Sequence, residues 1–130
     1  AFQHLSPVSP AAGRVVMTQE IIGLQWNTVV LYPAGHYASA IQTQVSAKLP
    51  HGWQTASALD IASREGDHIA FKSTSLELLV DSPLWAGKYT RRFELDPTHK
   101  APVYLTVFAD SPASLEAAPE HIAAHKQLVR

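Results

Sequence analysis

Apolar residues punctuate polar ones along 88–95, the pattern of a strand with one buried face, and 103–109 is an almost continuous apolar run rich in β-branched and aromatic residues; these are the two clearest strands of the chain. They are separated by Asp96-Pro97 and the polar residues 98–100, and sequential strands of this kind usually pair as neighbours. Earlier in the chain, residues 14–22 and 26–32 are β-branched enough for two further strands, and Pro33-Ala34-Gly35 ends the second. Residues 41–47 alternate again, and Pro50-His51-Gly52 turns the chain into Trp53. Arg64-Glu65-Gly66-Asp67 reads as a hairpin turn leading into Ile69-Ala70-Phe71, with Gly66 free to take positive φ.

The period changes briefly at residues 76–80. Ser75 and Leu78 form no capping box, but Glu77 near the start favours a single helical turn. Pro83 disfavours helical geometry at Ser82, so the turn should stop by Asp81, and Trp85-Ala86-Gly87 is expected as a corner before the next strand. Residues 1–13 are rich in Pro and Ala, have no period and read as a lead-in. After Asp110-Ser111-Pro112 the composition shifts to Ala and Glu, and residues 119–130 read as a helix. The expectation is a mainly β fold, an antiparallel β-sandwich or open sheet of seven or eight short strands with a C-terminal helix. The boundary falls after residue 110, with a β-rich domain over 1–110 and a linker and helix over 111–130.

Composition narrows the function classes. The chain has 130 residues, 46% of them hydrophobic and 16% charged, with a net charge of -1 from ten Lys and Arg against eleven Asp and Glu. That balance is ordinary for a globular domain and leaves no basic footprint for nucleic acid. No apolar run approaches the ~20 residues that span a bilayer, so no membrane partner is expected. There are no cysteines, which removes disulfides and thiolate metal sites and leaves the compartment open between bacterial periplasm and cytoplasm. The chain starts at Ala1, has no Met before Met17, and places no Gly or Pro after the apolar residues of its last helix, so it is expected to be a piece of something larger.

Candidate chemistry is sparse. Seven histidines are many, yet only His121 and His125 fall four apart on one helix face. A zinc peptidase helix needs Glu directly after the first His as general base, whereas Ile122 stands there, so a solvated face is the better reading. His4, His36, His51, His68 and His99 sit in turns and gather into no three-ligand set. Glu77 and Asp81 share a face of the short turn, and Asp81 before Ser82-Pro83 is expected to cap backbone N–H groups with its carboxylate. Trp26 and Trp53 are expected in the core, and Trp85 is expected to plug its turn or to wedge against a neighbouring domain. No catalytic residue and no metal ligand is assigned.

Three segments, in this order and spacing, resemble one family: Tyr32-Pro33-Ala34-Gly35; Leu49-Pro50-His51-Gly52-Trp53 with Ala58-Leu59; and Leu79-Val80-Asp81-Ser82-Pro83 with Gly87. From Trp26 to the end the chain is similar to the N-terminal β-rich region of the glycyl aminopeptidases, zinc metallopeptidases that also carry a PDZ module. The resemblance implies a non-catalytic domain that supports a thermolysin-like catalytic domain elsewhere in the parent chain. Zinc would sit in that other domain, and no cofactor is expected in this piece. The partners implied are the catalytic domain and the peptide substrate of the parent, and the surface that meets the catalytic domain would favour a homodimer if left bare. The turns at His36-Tyr37 and from Asp81 to Trp85 are the expected interdomain or cleft contacts. Two rivals stand beside this reading: a carbohydrate- or peptide-binding sandwich, which needs Trp26, Trp53 or Trp85 exposed in a shared groove, and a purely structural interaction module.

Overall fold

A computed structural model of the chain describes residues 3, 5, 7, 9, 11, 17–97 and 102–129. Ten short strands carry the described part: β1 (Ile21–Leu24), β2 (Gln42–Thr43), β3 (Ser46–Lys48), β4 (Gln54–Ala56), β5 (Ile61–Glu65), β6 (His68–Phe71), β7 (Thr74–Ser75), β8 (Leu84–Gly87), β9 (Tyr89–Asp96) and β10 (Val103–Ala109). Two helices accompany them, α1 (Leu76–Val80) and α2 (Pro119–Leu128), with short 3-10 turns at Trp26–Thr28, Ala38–Ala40 and Pro112–Leu115. Every strand pair is antiparallel. The strands form two three-stranded sheets, ordered β1-β8-β4 and β3-β6-β5, and two two-stranded ones, β2-β7 and β9-β10. The expected mainly β architecture with a C-terminal helix is what the chain adopts, divided into four small sheets.

The 64–67 turn forms as expected. Glu65 pairs with His68 across it, and Gly66 takes φ 59°, a left-handed conformation that a Cβ would strain. Helix α1 also forms over one turn. Ser75 caps it, its hydroxyl accepting from the Leu78 N–H at 3.2 Å, and the turn ends at Asp81, ahead of Pro83. The paired stretches 88–95 and 103–109 become β9 and β10, with Leu105 opposite Phe93 and Thr106 opposite Arg92.

Three expectations are corrected. Residues 26–32 make no strand. Trp26 turns inward in a 3-10 turn, 5% exposed, and its Nε1–H donates to the Ser82 carbonyl at 2.8 Å, while Leu31 and Tyr32 are left 85% and 58% exposed. The long strand expected over 41–47 is broken in two, because Gln42–Thr43 pairs with β7 and Ser46–Lys48 with β6. The corner expected at Trp85-Ala86-Gly87 is the central strand β8, paired on both edges. Pro83 lies just before it, where the missing N–H costs no ladder bond. The first strand begins only at Ile21; Met17 adds one bridge to Ile22, and residues 14–16 lie outside the described residues, as do His4 and His99.

The core sits between these sheets under α1. Trp26, Leu59, Ile69, Phe71, Leu76, Leu79 and Leu84 form it, with Leu24, Ile41, Val45 and Val80 packed at its margin. Trp26 meets Phe71 edge to face, ring centroids 6.4 Å apart and planes at 83°, a favoured aromatic geometry. Backbone bonds tie the sheets to this core: Phe71 N–H donates to Val45 at 3.0 Å and Leu76 N–H to Ile41 at 2.8 Å.

Candidate functional site

An open cleft of about 800 Å³ lies between β4 and its following loop on one side and the β9-β10 hairpin on the other. The chain from Gln54 to Leu59 forms the first wall. Thr90, Arg92, Tyr104 and Thr106 form the second, and Pro83, Trp85 and Phe71 lie between them. Period two explains the second wall. Thr90 and Arg92 lie two apart on β9, Tyr104 and Thr106 two apart on β10, and Thr106 pairs with Arg92, so all four share one face of the hairpin.

Trp85 is positioned by a close approach. It lies opposite Gly23 across the β1-β8 ladder, and a Cβ built on Gly23 would fall 2.6 Å from the indole ring. Glycine there lets the ring lie flat over the neighbouring backbone, half-buried, with its edge in the cleft. The same ring lines a smaller hollow of about 400 Å³ with Ile21, Ala56, Thr106, Val107 and Phe108. Trp85 therefore stands between the sheet and the hairpin of this chain, on the central strand β8.

Electrostatically the cleft is simple. Arg92 is the charged side chain of its lining, and its guanidinium stacks 3.6 Å from the centroid of the Tyr104 ring. It forms no ion pair among the described residues. Outside the cleft, Lys88 has its pKa raised, first by a hydrogen bond to the Tyr89 side chain and then by the Glu20 carboxylate 3.6 Å away. His51 and Asp67 form an exposed pair at 3.2 Å.

Of the four sequence-expected site residues, Trp85 alone lines the cleft. His36 is exposed, and Tyr37, 85% exposed, caps the 3-10 turn at Ala38–Ala40. Asp81 faces solvent at the end of α1; its N–H donates to the Glu77 carbonyl at 3.3 Å, but its carboxylate accepts no hydrogen bond among the described residues, which corrects the expected capping role. The polar work of that turn falls to Ser82, 2% exposed, whose carbonyl accepts from Trp26 and from the Ser57 hydroxyl at 3.3 Å. Arg92, Tyr104 and the β4 wall were absent from the sequence reading. The alternation of residues 88–95 does place Thr90 and Arg92 on one face, but which face meets β4 is not a local property.

Trp26 and Trp53 are buried, as expected of core residues. The tryptophans thus present no shared aromatic surface, and the observation that would favour a sugar-stacking groove is missing. Among the described residues no three His, Cys, Asp or Glu side chains gather to hold a metal ion, and His121 and His125 are exposed on α2. The described residues offer zinc no fitting donor set.

Residues 3–88 match the family model described as Peptidase M61 N-terminal domain. The match ends where β9 begins, so the hairpin and α2 lie beyond it. No curated protein matches the chain.

Proposed function

The chain belongs to the family of peptidase M61 N-terminal domains, and from that premise we propose that it is the non-catalytic wall of a zinc-dependent glycyl aminopeptidase that also carries a PDZ module. Its partner is the catalytic domain of the same parent, which supplies zinc and the general base. The family match carries this reading. Exposed apolar and aromatic groups in turns support the docking part of it: Leu31, Tyr32 and Tyr37 stand out from the loop after Trp26, where water is otherwise their neighbour. Trp85, which lies against Gly23 and lines a cleft, would limit how a peptide approaches.

The test compares this chain with the same chain extended toward the catalytic domain, measuring bound zinc and hydrolysis of glycyl peptides. The expected outcome is about one zinc per molecule and cleavage in the extended protein alone. An extended protein that binds no zinc and cleaves nothing sinks the aminopeptidase reading. Within an active extended protein, Asp81→Ala with Trp85→Ala is expected to change KM or the melting temperature, and a variant unchanged in both removes the proposed role of that turn.

A further inference from the structure

Three properties of the cleft point to one class of ligand. First, β4 is the end of its sheet: β8 pairs with one of its edges, and among the described residues no strand pairs with the other. Consecutive residues Gln54, Thr55 and Ala56 all line the cleft, which a cavity facing only one side of the pleat would not produce, so the backbone edge itself opens into it. An unpaired edge presents N–H and C=O groups at strand spacing, the template for an added strand. Second, Arg92 is charged and without an ion-pair partner among the described residues, and its stacking on Tyr104 fixes the plane of its donors. Glu94 lies two residues along the same strand and forms no ion pair with it. Third, Trp85, Pro83, Leu59 and Ile61 supply apolar lining on the same cavity.

We propose that this cleft binds an extended peptide segment by strand addition to β4, with a carboxylate of the peptide on Arg92 and an apolar side chain against Trp85. Backbone pairing supplies sequence-tolerant attachment, while Arg92 and Trp85 select an acidic and an apolar residue on alternate positions. A volume of about 800 Å³ is within the range of sites that enclose small ligands and short segments. The proposal stands apart from the zinc-enzyme reading, since a chain that captures such a segment and never cleaves one satisfies it.

The experiment titrates three short, end-blocked, fluorescein-labelled peptides into the chain and follows anisotropy. One alternates valine with glutamate, one replaces glutamate by glutamine, and one is the first peptide N-methylated at alternate backbone amides so that it cannot pair with a strand edge. The expected result is saturable binding of the first and affinity lower by about tenfold or more for each of the other two, the size of losing one charge-assisted hydrogen bond or more. In Arg92→Gln the glutamate and glutamine peptides should bind equally, while N-methylation still weakens both. No saturable binding at millimolar peptide, or binding indifferent to N-methylation, overturns the proposal. So does a concentration-dependent dimer in sedimentation velocity that excludes the peptide, because the edge then belongs to a second copy. The first comparison uses the unaltered chain, so a misfolded variant cannot obscure it.

Discussion

β6 and β9 are both antiparallel strands with alternating sequences, yet they end in different surroundings. β6 has four residues, and two of them, Ile69 and Phe71, are 1% exposed. β9 has eight, twice the length, and no fully buried residue, and in its partner β10 only Ala109 is buried. The difference lies in what arrives on their faces. β6 is the middle strand of its sheet, and its apolar side joins Trp26, Leu76 and Leu79 in one core. β9 has β10 along one edge, the cleft on one face, and α2 nearby, a helix with no buried residue. Regular alternation states that a strand pairs; burial depends on elements far away in sequence. The family match, ending at residue 88, separates the same two regions.

The largest expected effect is within the first region. Phe71→Ala removes a ring from a site with almost no exposure and should destabilise the chain by about 3–5 kcal/mol, whereas Leu105→Ala on the half-buried hairpin should cost about 1 kcal/mol. Urea denaturation of the two variants measures both, and equal losses would erase the distinction between core and hairpin. Gly23→Ala is next. The new methyl meets the Trp85 ring, and the expected cost is about 2 kcal/mol with a shift in indole fluorescence. Trp85→Leu in the same chain should recover part of that loss, and strictly additive effects would show that the ring does not lie where Gly23 lets it.

Smaller effects test the joints of the core. Ser75→Ala removes the cap of α1 and should cost about 1 kcal/mol, while Ser75→Asp should keep most of it; a neutral Ser75→Ala would mean that packing of Leu76 and Leu79 alone holds the turn. The smallest effect concerns Lys88. Its folded-state pKa is raised by Tyr89 and Glu20, so its contribution is complete at neutral and mildly alkaline pH and is lost as pH rises through the raised lysine value. Because the group is solvent-exposed and its ion pair is screened by water, Lys88→Met should flatten the alkaline end of the stability curve only slightly. A change near neutral pH in that variant would contradict the assignment.

Much of the local structure was legible in residues alone. Gly66 marked its hairpin because a left-handed position excludes most side chains, Pro83 marked the end of α1, and two β-prone runs, 88–95 and 103–109, either side of a polar turn marked a strand pair. The candidate site was less legible. Trp85 was singled out, but His36, Tyr37 and Asp81 lie outside the cleft, and Arg92 with Tyr104 went unread. Residues 26–32 carry β-branched side chains and still form no strand, since burying the Trp26 ring and bonding its N–H to the Ser82 carbonyl outweighs a pairing that no neighbouring strand offers.

By itself, then, the sequence determined tight turns, the extent of α1, the pairing of adjacent strands and the family, because each depends on backbone sterics or on a pattern read along a limited stretch of chain. Only the tertiary structure decided that β8 runs through the middle of a sheet, that Trp85 lies over Gly23, and that the edge of β4 faces Arg92 across a cleft. Those arrangements join residues roughly thirty to sixty positions apart, and they follow from which faces can bury their apolar side chains together, a choice that the whole chain makes at once.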